Sequence, residues 1–71
     1  MKITFNEVGR TKKSWSVNLA EVNEAALERE VRKSGALMSS DIGCMLDDSG
    51  HGGVVIVGGW RPVGKFTIEK P

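Results

Sequence analysis

The chain has 71 residues, of which 39% are hydrophobic and 27% charged, with nine glycines, two prolines, one cysteine and a formal net charge of +1. That length holds a single domain (1–71) and is too short for a dinucleotide-binding or P-loop fold, while the apolar fraction and near-zero charge exclude intrinsic disorder. The longest apolar run, Val54–Val57, falls far short of a membrane-spanning helix, Met1–Glu7 lacks a signal-peptide core, and one cysteine is the usage of a reducing compartment, so a cytoplasmic protein without membrane contact is expected.

The first element reads as a hairpin. Ile3 and Phe5 alternate with Lys2, Thr4 and Asn6, and Trp15, Val17 and Leu19 alternate with Ser14, Ser16 and Asn18. A period of two puts each apolar set on one face of a strand, toward a common core, with Val8–Lys13 as the connecting loop. Residues 20–33 are rich in helix formers, with glutamates in the first turns and Arg32 and Lys33 in the last, as the helix dipole favours. Asn18 with Glu21 forms a capping-box-like start, and a start near Asn23 is the alternative; Gly35 ends the helix. Val22, Ala26, Leu27 and Val31 form the predicted inward stripe.

Three further strands follow. Ile42–Leu46 is apolar, Asp47–Gly53 is dense in turn residues, and Val54–Val57 is β-branched on both faces, as an interior strand is. Residues 58–64 break it, and Phe66 and Ile68 alternate with Lys65, Thr67 and Glu69 in a last strand. The order ββαβββ predicts an α+β domain, an antiparallel sheet with one helix packed on one face. Cys44, inside an apolar run, reads as a small buried hydrophobe.

Charge is unevenly distributed. Residues 1–20 carry +3, 21–34 carry −1, 35–57 carry −3 through Asp41, Asp47 and Asp48, and 58–71 carry +2. A balanced total with separated patches suits a charge-complementary partner better than non-specific nucleic-acid binding.

Catalytic and cofactor motifs fail on inspection. Val54–Gly59 resembles the strand and glycine turn of nucleotide-binding proteins, but Trp60 replaces the second glycine and Pro62 follows where a helix is needed. His51-Gly52-Gly53 resembles the oxyanion segment of some esterases, without a nucleophile elbow to serve; these glycines read as turns. Asp47, Asp48 and His51 lack the three or four convergent ligands of a metal site and read as a solvated turn. No enzyme, no cofactor and no metal are expected.

The candidate binding residues are Trp60, Arg61, Arg10, Lys12, Lys13, Asp47 and Asp48. Trp60 and Arg61 lie in a glycine-flanked break and are the residue types most enriched at binding hot spots; the bland alternative is that Trp60 folds back to cap a small core. Arg10, Lys12 and Lys13 crowd one loop, suited to phosphate or to an acidic surface, or simply solvated to protect a strand edge. A nucleic-acid binder is the less favoured expectation, because the chain has no tyrosine and both phenylalanines read as core, which leaves no obvious stacking platform.

In size, α+β build and mixed charge the chain resembles the small inhibitor proteins of phages and mobile elements, of the anti-CRISPR type. The resemblance covers overall character and no motif, and it implies no residue roles. It implies a non-enzymatic block of a host defence complex, such as a CRISPR-Cas effector, by protein contact. Either the basic loops would meet an acidic surface, or Asp41, Asp47, Asp48 and the helix glutamates would mimic nucleic acid. A monomer or a homodimer is compatible with either.

Overall fold

The computed structural model describes residues 1–35, 37 and 41–69. Its elements are β1 (Lys2–Val8), β2 (Lys13–Asn18), α1 (Glu24–Ser34), β3 (Ile42–Leu46), β4 (Gly52–Val57) and β5 (Arg61–Glu69). All neighbours pair antiparallel in one sheet of spatial order β2-β1-β5-β4-β3. The last strand therefore inserts between the two hairpins and joins them, which the chain order alone does not reveal.

The expected ββαβββ domain is present, with several boundaries shifted. The helix begins at Glu24, not Ala20: Asn23 is the N-cap, its side-chain oxygen accepting from Ala26 N–H at 2.8 Å. Asn18 instead ends β2, and Val22 packs against the core from the connection before the helix. At the other end Gly35, at φ 73°, donates to the Arg32 carbonyl. β1 runs on to Val8 past a register shift, and β5 starts at Arg61, so the break between β4 and β5 is three residues, 58–60.

The glycines in His51-Gly52-Gly53 are not turn residues. Gly52 and Gly53 lie inside β4, where a Cβ on Gly53 would overlap the Met45 carbonyl oxygen and sit 2.7 Å from the tip of the Phe66 ring. Phe66 lies directly across the register from Gly53 and needs that space.

The core forms between the helix and one face of the sheet. Ile3, Phe5, Val8, Leu27, Val31, Ile42, Cys44, Val55, Phe66 and Ile68 make one buried cluster. Phe5 and Phe66 are register partners with ring centroids 5.9 Å apart, and Trp15 stacks on Phe5 at 4.6 Å and 16°. The helix lies chiefly over β3, so Leu27 and Val31 seal that side while Trp15 and Val17 stay half-buried. The opposite face carries no helix. It is polar across β2, β1 and β5 and apolar across β4 and β3, where Val54, Ile56 and Met45 lie. Among the described residues no helix is long and apolar enough to cross a membrane.

Candidate functional site

The strand directions decide which charged segments meet. β1 ends, β2 begins, β4 ends and β5 begins at the same end of the sheet as the helix C-terminus. Arg10, Lys12, Lys13, Arg32, Lys33 and Arg61 therefore gather at one end, opposed there by Glu7, Asp41 and Glu30, which lies 4.0 Å from Lys33. The other end collects Glu21, Glu24, Asp47, Asp48 and Glu69, with Lys2 and the N-terminus. Lys70, part of the expected basic C-terminal block, lies outside the described residues. The four charge blocks of the sequence thus fold into two poles.

Trp60 stands at the basic pole and is 80% exposed. Gly58 and Gly59, at φ 63° and 81°, supply the left-handed turn, closed by a 3.4 Å bond from Trp60 N–H to the Val57 carbonyl. Only glycine adopts that conformation without strain. Gly58 N–H also donates to Asp41 at 3.1 Å, tying the turn to the start of β3. The ring therefore projects outward and is not among the side chains packed against the core cluster.

Arg61, next in the chain, shares an open groove with Arg10, floored by Leu37, Val57 and Val63. A 2.9 Å bond from Gly9 N–H to the Val63 carbonyl holds the two loops together. Among the described residues neither guanidinium has a carboxylate within ion-pair distance. A guanidinium presents a planar fork of donors whose geometry matches a carboxylate or a phosphate.

The other predicted site residues divide. Lys13 is engaged internally: its ammonium donates to the Ser34 carbonyl at 2.6 Å, where it meets the negative end of the helix. Lys12 sits at φ 52° in the loop with its side chain in solvent. Asp47 and Asp48 lie at the far end of the sheet and join no surface with Trp60. The Asp47 carboxylate accepts from Ser49 Oγ at 2.5 Å and from the Ser49 and Gly50 amides at 3.1 Å each. The Ser49 hydroxyl first, and those amides with it, hold Asp47 below the usual carboxylate range. Among the described residues no three metal-ligating side chains converge.

Cys44 is 4% exposed, as a buried hydrophobe should be. Burial, with Glu28 and Glu24 nearby, pushes its thiol up to about 12. A thiol that stays protonated is a poor nucleophile. The groove pairing Arg10 with Arg61 was not legible in the sequence, because the two residues are brought together only by the insertion of β5 beside β1.

No family model matches the chain, and comparison with curated proteins and with solved structures returns no match.

Proposed function

We propose that the chain is a non-enzymatic protein-binding inhibitor that docks through its basic pole on an acidic protein surface. Trp60 is the apolar anchor, and Arg10 and Arg61 receive a carboxylate of the partner. The observation that carries this reading is an indole 80% exposed on a two-glycine turn, beside two guanidiniums that lack ion-pair partners among the described residues. An exposed indole forgoes the burial that a partner would supply, at roughly 25 cal/mol per Å² of apolar surface, and Trp and Arg are among the residue types most enriched at hot spots. The exposed Pro62, followed along the same face by the half-buried Val54, extends the surface beside this anchor. The resemblance to phage inhibitors supports a host defence complex of the CRISPR-Cas type as the target, met in the host cytoplasm.

One observation favours nucleic acid as the second reading. Trp60 supplies the exposed stacking ring that neither phenylalanine provides, and the arginine groove suits a phosphate as well as a carboxylate. The near-neutral net charge favours the protein partner.

The test is capture on the immobilised chain from nuclease-treated host lysate, in parallel with Trp60→Ala and Arg61→Ala. A protein retained in stoichiometric amount by the unaltered chain and lost from both variants supports the reading. Recovery that disappears with nuclease, or that ignores both substitutions, overturns it.

A further inference from the structure

The two outer strands of the sheet are not equivalent. At β3, bonds from Asp47 N–H to Gly52 and from Gly58 N–H to Asp41 fix the alternation, so the backbone groups of Ile42, Cys44 and Leu46 point away from β4. Ile42 and Cys44 are nonetheless only 5% and 4% exposed, because the helix lies over this strand. Self-pairing there about Cys44 would also set Asp41 opposite Asp47 of a second copy, an unfavourable like-charge pair.

At β2 the situation is reversed. Met1 and Leu19 exchange both backbone bonds at 2.9 Å, and the register continues through Ile3 with Val17 and Phe5 with Trp15. Alternation then directs the N–H and C=O groups of Ser14, Ser16 and Asn18 outward, and all three residues are exposed. On the helix face of the same strand, Trp15 and Val17 floor an open groove walled by Glu30, Lys33 and Ser34. Edge strands are usually blunted by a charge or a proline. Here the only charge is Lys13 at the strand's first position, and its ammonium is bound to the helix C-terminus.

We propose that β2 is the interface of a symmetric homodimer, two copies of Lys13–Asn18 pairing antiparallel about a two-fold axis at Ser16. The strand is self-complementary in this register. Ser16 meets Ser16 and Ser14 meets Asn18, using all the outward backbone groups in about six bonds. Trp15 meets Val17 of the second copy at the closely spaced, non-hydrogen-bonded position, so each half-buried indole gains an apolar neighbour. Lys13 falls opposite Leu19, and no like charges face one another. Both helices then lie on the same face of one continuous sheet, and both basic poles stay free. Isologous closure of this kind also removes the remaining open edge.

The paired strip is narrower than the ~1,200 Å² of tight complexes, so association is read by sedimentation velocity from about 10 μM to about 1 mM. The expected result is a shift with concentration from one 7.7 kDa chain toward twice that mass. Protection of the Ser16 and Asn18 amides against hydrogen exchange should rise in step. Ser16→Pro removes the donor at the axis, keeps the backbone ladder to β1 and loses the exposed 3.1 Å hydroxyl contact with Thr4, and it should weaken association at least tenfold. If that variant does not fold, Val17→Lys and the Ser16 amide decide in its place. A chain that stays monomeric with an unprotected Ser16 amide overturns the proposal and leaves this edge to a different strand or to solvent. A dimer that survives both substitutions overturns it too.

Discussion

Trp15 and Trp60 are the same side chain put to opposite uses. Trp15 alternates with serines on a strand, and the alternation turns it onto the helix face, where it stacks on Phe5 at 4.6 Å. Trp60 follows two glycines in left-handed conformation, and the turn points it into solvent at 80% exposure. Backbone context, not hydrophobicity, decides which tryptophan is core. Replacing each with alanine separates the two roles. Trp15→Ala should cost about 3 kcal/mol, the low end for a large aromatic because the ring is half-buried, and urea denaturation measures it. Trp60→Ala should leave stability within about 0.5 kcal/mol and weaken target binding by about 2 kcal/mol or more. If Trp60→Ala unfolded the domain, the comparison would collapse and Trp60 would be core after all.

The same contrast holds for the glycines. Gly58 and Gly59 serve a conformation with open space around them, whereas Gly53 serves a contact. Gly53→Ala drives a methyl into the Met45 carbonyl and the Phe66 ring and should cost about 1–3 kcal/mol through forced displacement. Thermal melting would show it.

Strand alternation made the hairpin and the last strand legible in the sequence, with the inward residues Ile3, Phe5 and Phe66, while the run of helix formers with acidic and basic ends and its helical stripe made the helix legible, with Leu27 and Val31. Two things were not legible. The place of β5 is set by long-range pairing of Phe5 with Phe66 and Ile3 with Ile68, and no local pattern encodes which strands meet. The helix start was misplaced because Asn18 and Asn23 are both competent caps, and the extension of β2 through Asn18 decided between them. For the site, the residue types at Trp60, Arg61 and Arg10 were readable; their convergence, and the separation of Asp47 and Asp48 from them, required the topology.

Cys44 sharpens the division between interior and surface chemistry. Its folded value lies above the ordinary thiol value of 9.0, at about 12, so the folded state holds a proton that the unfolded chain loses above pH 9. Stability is fully present below about pH 9 and declines as pH rises toward 12. Titrating the denaturation midpoint through that range should reveal the decline, and Cys44→Ala should lack it. The thiol should also resist alkylation until denaturant opens the domain.

Lys12 and Lys13 repeat the comparison at smaller scale. Adjacent in sequence, one is solvated and the other donates to the helix C-terminus at 2.6 Å. Lys13→Ala should lower stability by about 0.5–1 kcal/mol, and Lys12→Ala should not. Lys12→Ala should instead slow capture of an acidic partner at low salt, an effect that fades as salt screens the pole. Equal effects on stability would show that the loop charges are interchangeable.

The smallest effect belongs to the turn between β3 and β4, the counterpart of the Trp60 turn at the opposite pole. Its polar groups are satisfied within itself: Asp47 accepts from Ser49 and Gly50, and Ser49 Oγ accepts from the His51 amide at 3.1 Å. The Trp60 turn is closed by a 3.4 Å bond and tied to β3 by the 3.1 Å bond from Gly58 N–H to the Asp41 carbonyl, and it leaves its principal side chain to solvent. Asp47 is held below its ordinary value of 3.8, so its ionised form stabilises the fold above that pH, and the contribution is lost as pH falls through the lower folded value. The group is fully exposed, so the loss is a shallow slope in stability below pH 4, which Asp47→Ala should flatten. Asp48→Ala leaves those bonds intact and should retain the slope. An unchanged slope in Asp47→Ala would mean that the acid sensitivity comes from the carboxylates of the acidic pole at large, and that this turn, like the Trp60 turn, is held by its glycines.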